Sequence, residues 1–356
     1  MKSMEEKTYF HRVNELTPTR FWINNVTQEE AKRALAEGAC GCTQNPAYVW
    51  KMMQRESELP EIQQLIMRLR DQGVARDQIL IAVQRELVGR IAKLFLPLYQ
   101  QSQGRWGYVS IQGDPFHEDC DSIVKTGLFN REAGENIMIK IPVTEEGLKA
   151  ISILAAQGVP INATEVMSVR QAMDVGRVYA EATSHCVRKA PIYYSHITGI
   201  LDEYLYKTVQ ETEVAIASDV LFQAGIAATK KTYAMTRTQY PDVGFIGGGA
   251  RGLHHFTEMV GAQACVTINW KGTADQLIDQ NPPVIERFAQ PTPPAVLDEL
   301  LEKLPDFRKS YCLHAIEPSE YEAFGPVVLF LSLIHILQLQ IAASKRVKIK
   351  RSKVSL

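Results

Sequence analysis

The sequence predicts an α/β protein, a (β/α)8 barrel of the TIM-barrel architecture, with additional helices after its second strand and a C-terminal helical extension. Three observations carry this expectation. Eight short β-rich runs recur along the chain, helical patterns follow most of them, and no Gly/Ser-rich linker divides the body. Strands alternating with helices pair in parallel through right-handed crossovers, and eight such units close into a barrel. An open doubly wound sheet is the alternative, but no G-x-G-x-x-G follows an early strand. Gly247, Gly248 and Gly249 come late and lack that spacing.

Taken in order, the first run is Arg20 to Asn24, with a helical pattern from Thr27 to Glu37, and the second is Gly41 to Gln44. Glu58 to Gln101 then reads as added helices, because Leu80, Val83, Leu87, Ile91 and Leu94 form a stripe at steps of three and four, the mark of a packed face. The third run is Gly107 to Gln112. The fourth, Ile137 to Ile141, leads into a helix from Thr144 to Gln157, and the fifth, Val159 to Thr164, into one from Ser168 to about Ser184. Pro191 to Ser195, Val243 to Gly247 and Ala264 to Ile268 complete the eight. The Pro-rich stretch Gln290 to Pro294 separates the barrel from a helical extension starting near Ala295. Residues 1–330 are expected to form a single barrel domain with these appendages.

The bulk properties set limits. With 46% hydrophobic and 22% charged residues over 356 positions, the composition is that of a globular protein with ample material for a large core. The formal net charge of -1 hides an asymmetry. Lys345, Arg346, Lys348, Lys350, Arg351 and Lys353 crowd the last twelve positions, so the body carries 33 basic against 40 acidic residues. A mildly acidic body argues against a nucleic-acid partner; an anionic substrate would need a local basic pocket. The opening MKSMEEKTYFHRVNE is charged throughout, unlike a signal peptide, and no run reaches the roughly 20 apolar residues of a membrane span. The expectation is a cytoplasmic protein acting on a small molecule, without nucleic-acid or membrane partners, and a homo-oligomer is open. Of the six cysteines, only Cys40 and Cys42 lie close together, on one face of a strand by alternation and at no zinc spacing. Reduced structural thiols, no metal and no cofactor are expected.

The tail behaves differently. After Phe324-Gly325-Pro326 a helix runs into Leu331-Ser332-Leu333-Ile334-His335-Ile336 and then the basic stretch. LSLIHI is also what the end of a common transposase sequencing adapter encodes in one frame, so residues 331–356 are expected to be a sequencing-assembly artefact. A genuine basic tail binding nucleic acid or a membrane is the rival reading.

Lys140 is the residue that carries chemistry. It lies within Ile137-Met138-Ile139-Lys140-Ile141-Pro142, at the C-terminal end of the fourth strand, where catalytic groups of barrels collect. Burying an ammonium lowers its pKa and leaves an amine free to attack a ketone carbonyl and form an iminium, an electron sink for cleavage of a nearby carbon–carbon bond. A lysine that snorkels to solvent from a strand end is the competing reading.

With its neighbours, this lysine resembles the Schiff-base lysine of the transaldolase family, within the class I aldolases: a K-I-P turn followed by Val143-Thr144-Glu145-Glu146-Gly147-Leu148-Lys149-Ala150 and a helix. The resemblance covers nearly the whole chain before the tail. Phe21-Trp22-Ile23-Asn24-Asn25 and Gly41-Cys42-Thr43-Gln44-Asn45-Pro46 are similar to the family's first strand and its T-x-N-P signature. The resemblance implies that Asn45 holds a substrate hydroxyl. It also implies that Asn162 and Thr164 form the family's N-x-T segment, with the threonine positioning a water, and that Arg251, after Gly247-Gly248-Gly249-Ala250, contacts a substrate phosphate. A turn before proline, a helix-capping threonine and a solvated arginine on a glycine-rich turn are the plainer alternatives.

Three positions depart from the family. Asn24 stands where it has an aspartate that moves protons, and Gln112 where it has a glutamate on the third strand. The S-P-F-V-G-R motif appears as Ser195-His196-Ile197-Thr198-Gly199-Ile200, which keeps the substrate-contacting serine and lacks the second phosphate arginine. Asp114, Tyr194, His196, His254 and His255 are candidates for a replacement acid or base. The function implied is a transferase of carbohydrate metabolism, of the pentose phosphate pathway type, moving a dihydroxyacetone unit between sugar phosphates through a Schiff base on Lys140. A class I aldolase that releases the three-carbon unit and a non-catalytic sugar-phosphate-binding barrel are the alternatives.

Overall fold

The structure, a computed structural model, describes residues 7–75 and 78–332. Eight parallel strands close into a barrel in sequence order: β1 Arg20–Asn24, β2 Gly41–Gln44, β3 Tyr108–Gln112, β4 Ile137–Pro142, β5 Ile161–Val166, β6 Ile192–His196, β7 Gly244–Gly247 and β8 Cys265–Asn269. β8 returns to β1, with Arg20 opposite Cys265 and Asn24 opposite Asn269. Every expected run is a strand. Their edges move for local reasons: Gly107 is excluded from β3 because it sits at φ +87°, where a Cβ would lie 2.4 Å from the Tyr99 nitrogen. β3, β4 and β5 are buried along their whole length, as expected where the barrel interior covers one face and helices the other.

Several helices begin at side-chain caps. Thr144 accepts from the Gly147 amide to start the helix Glu145–Ala156, and Ser168 accepts from Gln171 to start Val169–Ala182. Thr27 and Glu30 make a reciprocal capping box for Gln28–Ala36. The expected insertion after β2 consists of Leu59–Asp71 and Ile79–Gln101; Val83, Leu87 and Ile91 of the stripe are buried, while Leu80 and Leu94 pack at its edge. Beyond the proline-rich stretch lie Pro294–Lys303 and Pro305–Tyr311, then a final helical segment over residues 325–332. The expected artefact overlaps this segment at Leu331 and Ser332 only; from residue 333 it lies outside the described residues. Among the described residues no helix is long and apolar enough to cross a membrane.

Inside the barrel, polarity is graded along the axis. Trp22, Cys40, Tyr108, Met138, Ile246 and Cys265 fill the N-terminal end as a separate apolar cluster. Toward the C-terminal end the inward positions become polar: Thr43, Ser110, Asn162, Ser195 and Thr267. One expectation is corrected here. Cys40 belongs to the inner cluster, whereas Cys42 joins the core outside the barrel wall. Strand alternation does not relate the two, because β2 begins at Gly41. All six cysteines are free thiols.

Candidate active site

The polar end of the barrel opens into a cavity of about 360 Å³. Asn24, Asn45, Lys140, Thr164, Ser195 and Arg251 all line it, so β1, β4, β5, β6 and the loops after β2 and β7 converge on one space. Asn162 sits one layer below. It accepts from the Ser195 hydroxyl at 2.7 Å and donates to Ser110 at 3.3 Å, which fixes the serine that faces the cavity. Gln112 lies on the other side of Lys140, in a narrow cleft shared with Glu118.

Lys140 is 5% exposed. Its ammonium donates to Asn45 Oδ1 at 2.6 Å, and the Phe330 ring from the last helical segment lies 5.9 Å from Nζ. Burial pushes the lysine down to about 8, against the opposing pull of the Glu165 and Glu118 charges. Asn45 is itself held through its backbone, since its amide donates to Asn25 Oδ1 at 2.9 Å, and this sets the turn before Pro46. Its side chain is left free to meet the lysine.

Asn24 is locked in a polarised chain. The Thr43 hydroxyl donates to Asn24 Oδ1 at 2.9 Å, Thr43 and Thr267 hydroxyls share a 2.7 Å bond, and Asn24 Nδ2 donates to Asn269 Oδ1 at 3.1 Å. Each of its polar atoms already has a partner. Thr164 Oγ1, by contrast, is buried without a hydrogen-bond partner among the described residues.

At the opposite rim, Arg251 is paired with Glu203 at 2.7 Å and is 41% exposed. The glycine-rich loop before it seats closely on the helix Thr198–Thr212: a Cβ at Gly199 would lie 2.1 Å from the Gly249 oxygen. His255 pins the same loop. Its Nδ1 accepts from the Arg251 and Gly252 amides, and its Nε2 donates to Asp202 at 2.9 Å. His254 and Asp202 lie near enough to His255 for their ligand atoms to fall within 4.8 Å of one another. Both His255 nitrogens are spent on the loop and the carboxylate, so His255 and Asp202 clasp the loop.

Of the suggested acid–base substitutes, Tyr194 bonds Thr236 and His196 bonds Thr229, both outside the barrel wall. Burial drops His196 to about 3, and His254 stacks on Phe222. Asp114 accepts from the Phe116 amide and faces His117. The residues that sequence reasoning missed are Lys51, Phe330 and Glu165. Lys51 lines the cavity from the short helix Tyr48–Met53; its pKa is lowered by burial and then by Arg251 and Arg55, and it has no carboxylate partner among the described residues. A charge within Tyr48-Val49-Trp50-Lys51-Met52 and a glutamate inside β5 were the available signals.

Fold and site together define a parallel α/β barrel whose mouth surrounds a buried lysine with a destabilised ammonium. The family model described as transaldolase/fructose-6-phosphate aldolase matches residues 21–307, and the chain belongs to that family. Similar proteins include the transaldolases of Trichodesmium erythraeum, 26% identical over 240 residues covering 60% of this chain and 61% of that protein, and of Mycobacterium tuberculosis, 29% identical over 236 residues covering 62% of each. The transaldolase of Helicobacter pylori is 27% identical over 224 residues, covering 60% of this chain and 67% of the relative. The match thus spans about three fifths of the length of the first two relatives.

Proposed function

We propose that this chain transfers a dihydroxyacetone unit between sugar phosphates through a Schiff base on Lys140. The observation that carries the reading is the lysine itself, buried at the cavity's inner wall, tied to a neutral amide and pushed down to about 8. At pH 7 about a tenth of such an amine is unprotonated and nucleophilic, far more than of an ordinary lysine. It adds to the ketose carbonyl, and loss of water gives the iminium. As the hydroxyl on the second carbon from the iminium carbon gives up its proton, the bond between the first and second carbons breaks towards the iminium nitrogen. An aldehyde leaves and an enamine remains. The enamine adds to the acceptor aldehyde, whose oxygen takes up a proton, and water hydrolyses the new iminium to free Lys140.

In this reading Asn45 orients the amine and a substrate hydroxyl, Asn24 and Ser195 bind hydroxyls, and Asn162 holds Ser195. Thr164 and Gln112 position water. Lys51 and Arg251 face the anionic end of the sugar phosphate, and Lys51 offsets the arginine missing at Ile200. We also propose a cytoplasmic setting, in keeping with six free thiols, and a single domain over residues 1–330 followed by a non-native tail. An intact reading frame for that tail in resequenced DNA would remove the last point.

Borohydride trapping tests the main claim: with a ketose donor present, Lys140 gains the mass of the reduced adduct. Absence of that gain in the intact protein refutes the Schiff base. A class I aldolase that releases the three-carbon unit is the second reading, favoured by Ile200 and by the pairing of Arg251 with Glu203, which weaken the hold on a phosphorylated acceptor. Product analysis with and without an acceptor aldehyde separates the two.

A further inference from the structure

The family's two proton-moving carboxylates are amides here, at Asn24 and Gln112, yet a buried carboxylate, Glu165, is hydrogen-bonded to Gln112, the residue opposite Lys140 on the neighbouring strand. By simple alternation Asn162 and Thr164 point into the barrel and Glu165 points out. The register between β5 and β6 slips between Ala163 and Val166, and Glu165 takes φ +64°. A left-handed glutamate inside a strand persists only where its surroundings over-determine it. What fixes it here is a polar anchor: Gln112 Nε2 donates to Glu165 Oε1 at 3.0 Å. Gln112 stands opposite Lys140 in the β3–β4 register, and Lys140 opposite Asn162 in β4–β5, so the anchor spans the strand that carries the lysine. Glu165 is fully buried, and its Oε2 has no hydrogen-bond partner among the described residues.

We propose that Glu165 is the proton-holding partner of Lys140, brought to it by the β5 bulge and the Gln112 amide in place of a carboxylate on the third strand. It acts by holding one proton taken from the lysine and returning it to the adduct. Among the described residues Lys140 and Glu165 form no ion pair, so the proton passes from the ammonium to the carboxylate through a water between them, leaving a neutral amine and a neutral acid. The amine adds to the ketone. As the adduct loses its hydroxyl as water, the proton held by Glu165 supplies the second hydrogen of that water, and the resulting carboxylate faces the cationic iminium. Charge and atoms balance: ammonium, carboxylate and ketone become iminium, carboxylate and water. The inference therefore rests on the Schiff-base reading above.

The other charges bearing on this pair are Glu118, in the cleft beside Gln112, and Lys51, which acts on Lys140 from the far side of the cavity; Glu322 and Asp114 act on Glu118 in turn. Burial raises Glu165 to about 7 and Glu118 to about 9, against a lysine near 8. Burial thus moves the carboxylic acids up and the ammonium down, which narrows the gap between them and favours exchange of a proton. Gln112 is part of the same design. A glutamate there would set a second negative charge against Glu165, whereas the amide donates to it.

Two measurements on the intact protein test the assignment, each in wild type, Glu165→Gln and the exchange variant Gln112→Glu with Glu165→Gln. The first is the pH dependence of Lys140 acetylation by acetic anhydride, read by peptide mass, which needs no substrate. The second is the rate of borohydride trapping with dihydroxyacetone. In Glu165→Gln the acetylation midpoint should fall by about one pH unit, because a charge that favours the ammonium is gone. The plateau trapping rate should fall about a hundredfold. The exchange variant, with its carboxylate moved one strand back, should recover at least tenfold of that rate, and it serves as the reading if Glu165→Gln does not fold. An unmoved midpoint with less than a threefold loss of rate, or no recovery on exchange, overturns the proposal. A wild type that fails to trap dihydroxyacetone while the midpoint still shifts retires the Schiff-base reading and the proton transfer, leaving Glu165 only as the lysine's counter-charge.

Discussion

Asn45→Leu isolates what the 2.6 Å bond contributes to the reactivity of Lys140. Leucine has the same branched skeleton and heavy-atom count as asparagine, so the cavity stays filled, and the turn before Pro46 survives because it depends on the residue 45 backbone amide and Asn25. The ammonium loses a charge-assisted acceptor worth about 1.5–3 kcal/mol, and the neutral amine loses an ordinary one worth about 0.5–1.5 kcal/mol. The difference, roughly 1–1.5 kcal/mol, is about one pKa unit in favour of the amine. Lys140 starts at about 8. The variant should therefore titrate near 7, and the neutral fraction at pH 7 should rise from about a tenth to about half. The assay is the pH profile of borohydride trapping with dihydroxyacetone. Its midpoint should move down by about one unit, and the rate at pH 7 should rise roughly fivefold if free amine limits it. A midpoint that stays put or moves up refutes the idea that Asn45 stabilises the charged lysine.

Other perturbations separate other parts of the site. Phe330→Ala uncovers Lys140, and because burial is the largest influence on that lysine, the trapping midpoint should move upward, opposite to Asn45→Leu, as water reaches the ammonium. Lys51→Met should raise KM for a phosphorylated donor roughly tenfold or more, the loss of about 1.5–3 kcal/mol of charge-assisted binding, with little change in kcat or in KM for an unphosphorylated ketose. Gly199→Ala places a Cβ 2.1 Å from the Gly249 oxygen and must displace the Arg251 loop, so phosphate affinity should fall together with about 1–3 kcal/mol of stability by urea unfolding. His196, at about 3 in the fold against 6.5 unfolded, binds protons preferentially in the unfolded chain between those values. Stability from keeping it neutral is thus complete above about 6.5 and lost as pH falls. The gap in unfolding free energy between wild type and His196→Asn should narrow by about 1.4 kcal/mol per pH unit from 6.5 downward, and a constant gap would contradict the buried neutral ring.

The fold was legible because its signals are local and repeated. Each strand is a short β-rich run and several helices begin at a visible cap, so Arg20–Asn24 or Ile137–Pro142 can be placed from a handful of residues. Lys140 was legible from its place at a strand end, where barrel side chains meet, whereas Asn45, Thr164 and Arg251 were legible through the family resemblance of the segments that carry them. Glu165 was not. Alternation turns it away from the site, and only the bulge, which depends on how β5 meets β6 and on an amide two strands away, reverses that. Lys51 was missed because it lies in a six-residue helix beyond β2, and nothing in Tyr48–Met53 indicates that the helix leans over the mouth.

The amides at 24 and 112 are therefore better understood with their partners than alone. Asn24 accepts from Thr43 and donates to Asn269, a chain that needs one acceptor and one donor on the same side chain. A carboxylate in that place would oppose Asn269 Oδ1 unless the second amide turned over. Gln112 likewise uses its donor on Glu165. Both substitutions remove a charge from the barrel mouth, while Glu165 adds one in a position where it interacts with the lysine. The number of carboxylates acting on Lys140 is thus kept above zero although both expected positions have lost theirs. A buried ammonium without any such counter-charge would be held lower still by desolvation, and its iminium would lack an anion nearby. Restoring either expected carboxylate singly, by Asn24→Asp or Gln112→Glu, should accordingly weaken the site instead of improving it. Each would leave an acceptor facing an acceptor, and the second would add a like charge beside Glu165. A single variant with a faster trapping rate and unchanged stability would show that the two sets of positions are independent.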